Sequence, residues 1–218
     1  MGGFGIALVP TAYAGAPLTM TATAERGNSL IEVLTSTLFL AILMAMSYSF
    51  ARAALISARV HEVKSEAQEL AVMTLDVVTR ELRMAGFSAA GRPLTAVTIA
   101  AAERVEVASD FNGDGDTADA NETIAYSYNA RDREIMRATS GGSPQPLARN
   151  VPPQGLRFRY LDRDGHDLVP GSGGLSPTER RQVRRIDVLF HVELYNPNPH
   201  AATPLSATAS TSVCLRNP

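Results

Sequence analysis

Tryptophan is absent from this 218-residue chain, and cysteine occurs once, as Cys214 near the C-terminus. A lone cysteine excludes an internal disulfide, so the fold must be held together by packing. Without tryptophan there is little from which to build an aromatic binding platform. A marked excess of one charge is also missing: the net charge is −2, with 19% charged and 45% hydrophobic residues. That balance gives no whole-chain reason to expect a nucleic-acid partner. The four histidines, His61, His166, His191 and His200, are scattered without zinc-ligand spacing. No Gly-x-Ser-x-Gly elbow, P-loop or dinucleotide fingerprint occurs, so no catalytic residue is assigned and an enzyme is not expected.

Residues 33–51 lack charge, proline and glycine altogether and are rich in Leu, Ala, Met and Phe. As a helix these nineteen residues span roughly 28 Å, close to the ~30 Å hydrocarbon thickness of a bilayer. Proline and glycine stay absent through 52–84, where Val60, Val63, Ala67, Leu70, Val77 and Met84 recur at helical spacings and mark one apolar stripe. Asp76 and Arg80 form an i,i+4 pair in the favourable order, and Gly86 supplies the stop. The spacing predicts one helix over about 28–84, roughly 80 Å long. Its first half, 28–52, is apolar all round and reads as a transmembrane segment. Its second half, 53–86, is amphipathic and continues into a globular domain.

Beyond Ala96 the period becomes two. Val105 and Val107, then Ile124, Tyr126 and Tyr128, then Leu156, Phe158 and Tyr160 each alternate with more polar neighbours. The clearest strand is 185–194, with Ile186, Val188, Phe190, Val192 and Leu194 on one face and His191 on the other. Gly- and Pro-rich breaks at 140–155, 170–177 and 196–204 separate the runs, and 201–213 adds a last Ser/Thr/Ala strand. The expected fold class is α+β: a long N-terminal helix packed on a C-terminal antiparallel sheet in a β-rich domain over 87–218. The basic cluster Arg180, Arg181, Arg184 and Arg185 has no interleaved aromatics and is balanced by Glu179 and Asp187, which reads as a charged lead-in to a strand rather than a nucleic-acid site.

Residues 110–122 pack Asp110, Asp114, Asp116, Asp119 and Glu122 together with Asn112 and Asn121, and contain no basic residue. Asp110, Asn112 and Asp114 at alternate positions, followed by Gly115, match the first half of a calcium-binding EF-hand loop. The second half departs from it: Asn121 holds the twelfth position, and the flanks read as strands. The loop is therefore expected to bind Ca²⁺ through Asp110, Asn112, Asp114, Asp116, Asp119 and Glu122, as a calcium loop outside an EF-hand. The solvated acidic turn stands as the alternative. Residues 162–167, with three more aspartates and His166, are too short to count as a second site.

Ahead of the apolar run stands Arg26-Gly27-Asn28-Ser29-Leu30-Ile31-Glu32. A glycine with a glutamate five residues beyond it, at the lip of an uncharged stretch, resembles the processing site of type IV pilins and pseudopilins, the prepilin-type N-terminal methylation family. Asn28 stands where that family usually has Phe, and Ser29 where it usually has Thr. The helix end Thr79-Arg80-Glu81-Leu82-Arg83-Met84-Ala85-Gly86-Phe87 and the segment ending Glu122-Thr-Ile-Ala-Tyr126 most resemble PilW-type minor pilins.

The resemblance implies a pilin-like fold and a leader, 1–27, cut after Gly27 by a prepilin peptidase, with methylation of the new amine at Asn28. Translation starting at Met20 would shorten that leader to eight residues. It also implies that Glu32 pairs with the Asn28 amine of a neighbouring subunit. The charges themselves, Arg26 offset by Glu25 and then Arg52, Arg59 and Lys64, do not place the N-terminus in the cytoplasm. The resemblance does: a single-pass protein of the bacterial inner membrane, its domain periplasmic, which later joins a pilus at the cell surface. Its expected partners are the inner membrane and other minor and major pilins, and its expected role is pilus assembly and initiation. Two alternatives remain: a pseudopilin of a type II secretion system, and a membrane-anchored calcium-dependent binding module that never enters a filament.

Overall fold

The computed structural model describes residues 30–215. The chain divides into two compact units, one ending at Ser49 and one beginning at Phe50. One helix, α1 (Leu30–Leu82), runs through both. Its length follows from composition: Leu, Ala and Met are good helix formers, and no Gly or Pro interrupts it. The hydroxyls of Thr35, Thr37 and Ser49 donate back to the carbonyls of Glu32, Leu34 and Met46 at 2.8–3.0 Å. An apolar helix carries hydroxyls at little cost when they are satisfied by its own backbone. In the first unit every described side chain is exposed, including Leu30, Phe39 and Met44.

In the second unit α1 becomes part of a core. Ala67, Ala71, Leu75, Val78 and Leu82 are buried in one core cluster with residues of the strands. This face agrees with the stripe expected from the sequence through Leu70 and parts from it beyond. Ala67 is buried, Leu70 packs against the core and Val60 and Val63 are half-buried, but Val77 and Met84 are 36% and 41% exposed. From Leu70 the expected stripe steps by seven to Val77 and Met84, and such a repeat drifts by roughly 20° per heptad around a straight helix. The face that meets the sheets advances by fours and threes, averaging the helical period. The helix ends at Leu82, and Gly86 closes the turn after it at φ +77°, donating its N–H to Ala108.

The sequence led us to expect one antiparallel sheet; there are two. The first is a meander in chain order: β1 (Val97–Ala100), β2 (Arg104–Ala108), β3 (Thr123–Asn129), β4 (Glu134–Thr139) and β5 (Gln145–Ala148). The second comprises β6 (Leu156–Leu161), β7 (Asp167–Leu168), β8 (Arg185–Leu194) and β9 (Leu205–Cys214), ordered β7-β6-β8-β9. All pairings are antiparallel. Period-two alternation reveals which face of a strand is buried but not which strand lies beside it, so the division was not visible. Strand β5 falls inside the break read at 140–155, because Pro146 and exposed neighbours mask an edge strand.

Strand β8 carries Ile186, Val188, Phe190 and Val192 inward, and His191 on the other face meets the Thr208 hydroxyl of β9 at 2.7 Å. The buried Tyr160 of β6 donates its hydroxyl to the carbonyls of Ala101 and Arg104, joining the second sheet to the first. A short helix, α2 (Pro177–Gln182), precedes β8, capped by Ser176 and Glu179 in a reciprocal capping box.

Candidate functional site

Two places carry the residues singled out by the sequence: the first turn of α1 and the loop between β2 and β3.

Glu32 lies in the first turn of α1, exposed, where a carboxylate is favoured by the helix dipole. It is the only charge in the helix before Arg52. Its side chain makes no ion pair among the described residues. Gly27, Asn28 and the leader 1–27 with Met20 lie outside the described residues. Among the described residues α1 holds one segment long and apolar enough to cross a membrane.

The acidic loop leaves β2 at Ala108 and returns at Thr123. Its neck is closed by the Ser109 N–H, which donates to the Glu122 carbonyl at 2.7 Å. Successive side chains then turn the backbone: Asp110 accepts from the Gly113 N–H, Asn112 from Asp114, Asp114 from Asp116, and Asp116 from Ala118, all at 2.6–2.9 Å. Gly115 sits at φ +94°, a backbone conformation that favours glycine, with the tip of the Arg92 side chain lying over it.

Carboxylate oxygens of Asp114, Asp116 and Asp119 come within 4.8 Å of one another. The Asn112 amide bridges two of them, its Nδ2 lying 2.9 Å from Asp114 Oδ2 and 2.6 Å from Asp119 Oδ2. The crowding shows in their ionisation. The Asp114 charge, with burial and then Asp116 and Glu122, pushes the Asp119 carboxyl above its usual range. Asp114 is held below it, chiefly by the Asp116 N–H and the Asn112 amide.

Asp110 and Glu122 stand apart from that trio. Both are buried, at 1% and 2% exposure. Asp110 also accepts from the Ser88 hydroxyl at 3.1 Å. Glu122 Oε1 accepts the N–H groups of Phe111 (2.8 Å) and Asn112 (3.3 Å), while its Oε2 is buried with no hydrogen-bond partner. Ser88 and Arg92 had no signal in the sequence, since they precede their contacts by 22 residues. Arg92 reaches the loop through the Asp114 carbonyl (3.2 Å), and no carboxylate of the loop forms an ion pair among the described residues.

The other charged clusters are engaged locally. Asp162 accepts the N–H groups of Asp164 and His166, closing a tight turn, and lies 3.2 Å from His166 Nδ1. In the arginine cluster, Arg184 donates to the carbonyls of Arg181 and Val183, and Arg185 lies 3.5 Å from Asp187.

No family model matches the chain, and no curated protein matches it. Among solved structures the chain is similar to a type IV-like pilin from Thermus thermophilus, with 13% identity over 68% of this chain and 96% of that one, at a TM-score of 0.38.

Proposed function

We propose that this chain is a structural filament subunit, a minor pilin of PilW type that helps assemble and initiate a type IV pilus. The observation that carries the reading is the first part of α1: apolar on every side, exposed throughout, and bearing one carboxylate in its first turn. A helix of that kind needs lipid or other apolar helices around it. In the inner membrane lipid supplies the cover; in a filament the same helices of neighbouring subunits do.

Glu32 gives the packing its register. A carboxylate unpaired among apolar helices costs several kcal/mol, and an unpaired amine does too. Cleavage after Gly27 by a prepilin peptidase frees the Asn28 amine, and pairing it with Glu32 of the next subunit offsets both costs. The domain from Phe50 onward is then carried on the periplasmic side before assembly and on the filament surface afterwards, in contact with other minor and major pilins.

The test is incorporation. Glu32→Ala and Glu32→Gln chains, produced with a pilus assembly apparatus, are expected to reach the membrane at wild-type level. In the sheared filament fraction they should fall by about tenfold or more, a factor that needs only about 1.4 kcal/mol. Equal incorporation of wild type and both variants contradicts the pairing role.

A further inference from the structure

The exposed part of α1 ends where a hairpin loop meets it. Among the described residues every side chain from Leu30 to Leu55 is exposed, and the first to be half-covered is Ile56. Beside it Asn198 and His200, from the loop between β8 and β9, line a shallow cavity with Ala53, Ile56, Ser57 and Val60. That loop is closed by its own side chains. The Asn196 amide donates to the Thr203 carbonyl across its mouth, and the N–H groups of Asn198 and His200 donate to the side-chain oxygens of Asn196 and Asn198, all at 3.0 Å. Pro197, Pro199 and Pro204 fix three more φ angles. Tyr195 stands at its base, 82% exposed, so the domain makes no use of its ring.

The same turns of α1 are basic. From Arg52 to His61 there are two arginines, Arg52 and Arg59, and no acidic residue, and the loop at 195–204 has none either. Neither arginine forms an ion pair among the described residues. Phe50 and Leu55 add apolar surface, at 76% and 65% exposure. These residues follow directly on the uncharged run 33–51. Ile56 lies five residues past Ala51, about 7.5 Å along the helix. The headgroup layer on each side of a bilayer's hydrocarbon is roughly 5–8 Å deep. With 33–51 filling the hydrocarbon, the turns at 50–60 and the loop beside them stand at headgroup depth.

We propose that the β8–β9 loop and the adjoining turns of α1 form a docking surface for a bilayer that carries anionic lipid. Arg52 and Arg59 meet the lipid phosphates, and Tyr195 sets its ring among the headgroups. The proposal rests on the reading that 33–51 spans a membrane, and it adds which part of the domain touches lipid. A tyrosine has an apolar ring and a hydroxyl tip, which suits the boundary between hydrocarbon and water. Arginine reaches phosphate with a planar fork while its stem stays in apolar surroundings. The attraction acts only close to the surface, because salt screens it beyond a Debye length. Arg52 and Arg59 are also charges that the positive-inside rule does not favour beside a periplasmic domain. Headgroup contact gives them a partner on that side.

The test is fluorescence quenching of the full chain in vesicles of phosphatidylcholine and phosphatidylglycerol. The chain has no tryptophan, so each single substitution supplies its only indole. Phe39→Trp probes the apolar run, Tyr195→Trp the loop, and Phe111→Trp a point beyond the far end of α1, where its ring packs 5.9 Å from that of Phe87. All three positions are exposed, so the variants should fold. Lipid brominated along its chains is expected to quench Phe39→Trp. Lipid spin-labelled on its headgroup is expected to quench Tyr195→Trp and to leave Phe111→Trp bright. Omitting phosphatidylglycerol, or adding Arg52→Gln/Arg59→Gln, should weaken the quenching of Tyr195→Trp by about twofold or more and leave Phe39→Trp unchanged. An unquenched Phe39→Trp overturns the membrane reading beneath the proposal. A quenched Phe39→Trp with an unquenched Tyr195→Trp overturns the docking surface alone, and so does equal quenching of Tyr195→Trp and Phe111→Trp. Quenching of Tyr195→Trp that ignores both the anionic lipid and the arginines overturns their role.

Discussion

Arg137 on β4 grips the Glu81 carboxylate on the last turn of α1 with two nitrogens, Nε at 3.0 Å and Nη2 at 2.7 Å. The hydroxyl of Tyr126 on β3 donates to the same carboxylate. One side chain of the helix is thereby tied to two strands of the first sheet, at the point where α1 stops. A paired, hydrogen-bonded carboxylate of this kind is strong because it is bidentate and only partly wet. Glu81 and Arg137 keep 21% and 31% of their side-chain surface in solvent, so its worth falls short of a fully buried pair. In a double-mutant cycle on Glu81→Gln and Arg137→Gln, urea unfolding should give a coupling of about 1–2 kcal/mol. A coupling near zero would mean that the helix end is held by apolar packing alone.

Two buried tyrosines make the domain sensitive to alkali. Burial, then the Glu81 carboxylate, raises the Tyr126 hydroxyl well above the ordinary tyrosine range, and burial does the same for Tyr160. Folding therefore favours their protonated forms. This contribution is fully present below pH 10, the ordinary value for a tyrosine hydroxyl, and is lost as pH rises above it. Each group should remove about 1.4 kcal/mol of stability per pH unit in that range. Stability curves between pH 9 and 12 should fall about half as steeply in Tyr126→Phe as in the wild type.

The phase of the buried helix face can be tested with two adjacent residues. Val78 is 1% exposed and packs in the core; Val77, its neighbour on the expected stripe, is 36% exposed. Val78→Ala should destabilise by about 2–3 kcal/mol through lost burial and a small cavity. Val77→Ala should stay within about 0.5 kcal/mol, as an exposed helical site that favours alanine. Chemical denaturation of the two variants side by side checks this, and the reverse order would put the stripe back where the spacing placed it.

Much of this architecture was legible in the sequence because the signals are local. The unbroken run without Gly or Pro predicts a helix over 28–84, and among the described residues α1 covers Leu30–Leu82. Strand β8 spans the predicted 185–194, since five alternating apolar residues leave one face to bury. Helix α2 went unread although Ser176-Pro177-Thr178-Glu179 spells a capping box; six residues are too few to show a period. What stayed hidden depends on partners distant in the chain. The split into two sheets, the clasp of Glu81 by Arg137 and the reach of Ser88 and Arg92 to the acidic loop have no periodic signature. Glu122 reads in sequence as one more acidic loop residue, and only folding shows that it points inward while Asp114, Asp116 and Asp119 stay outside.

The most direct measurement of the central claim is the mass of the N-terminal peptide of the mature chain, recovered from cells that carry a prepilin peptidase. If α1 is the shared helix of a filament, the peptide begins at Asn28, with Glu32 five residues from the cleaved bond. A mature chain that still carries Gly27 and the residues before it would contradict the account, because no free amine would then stand ready to meet Glu32.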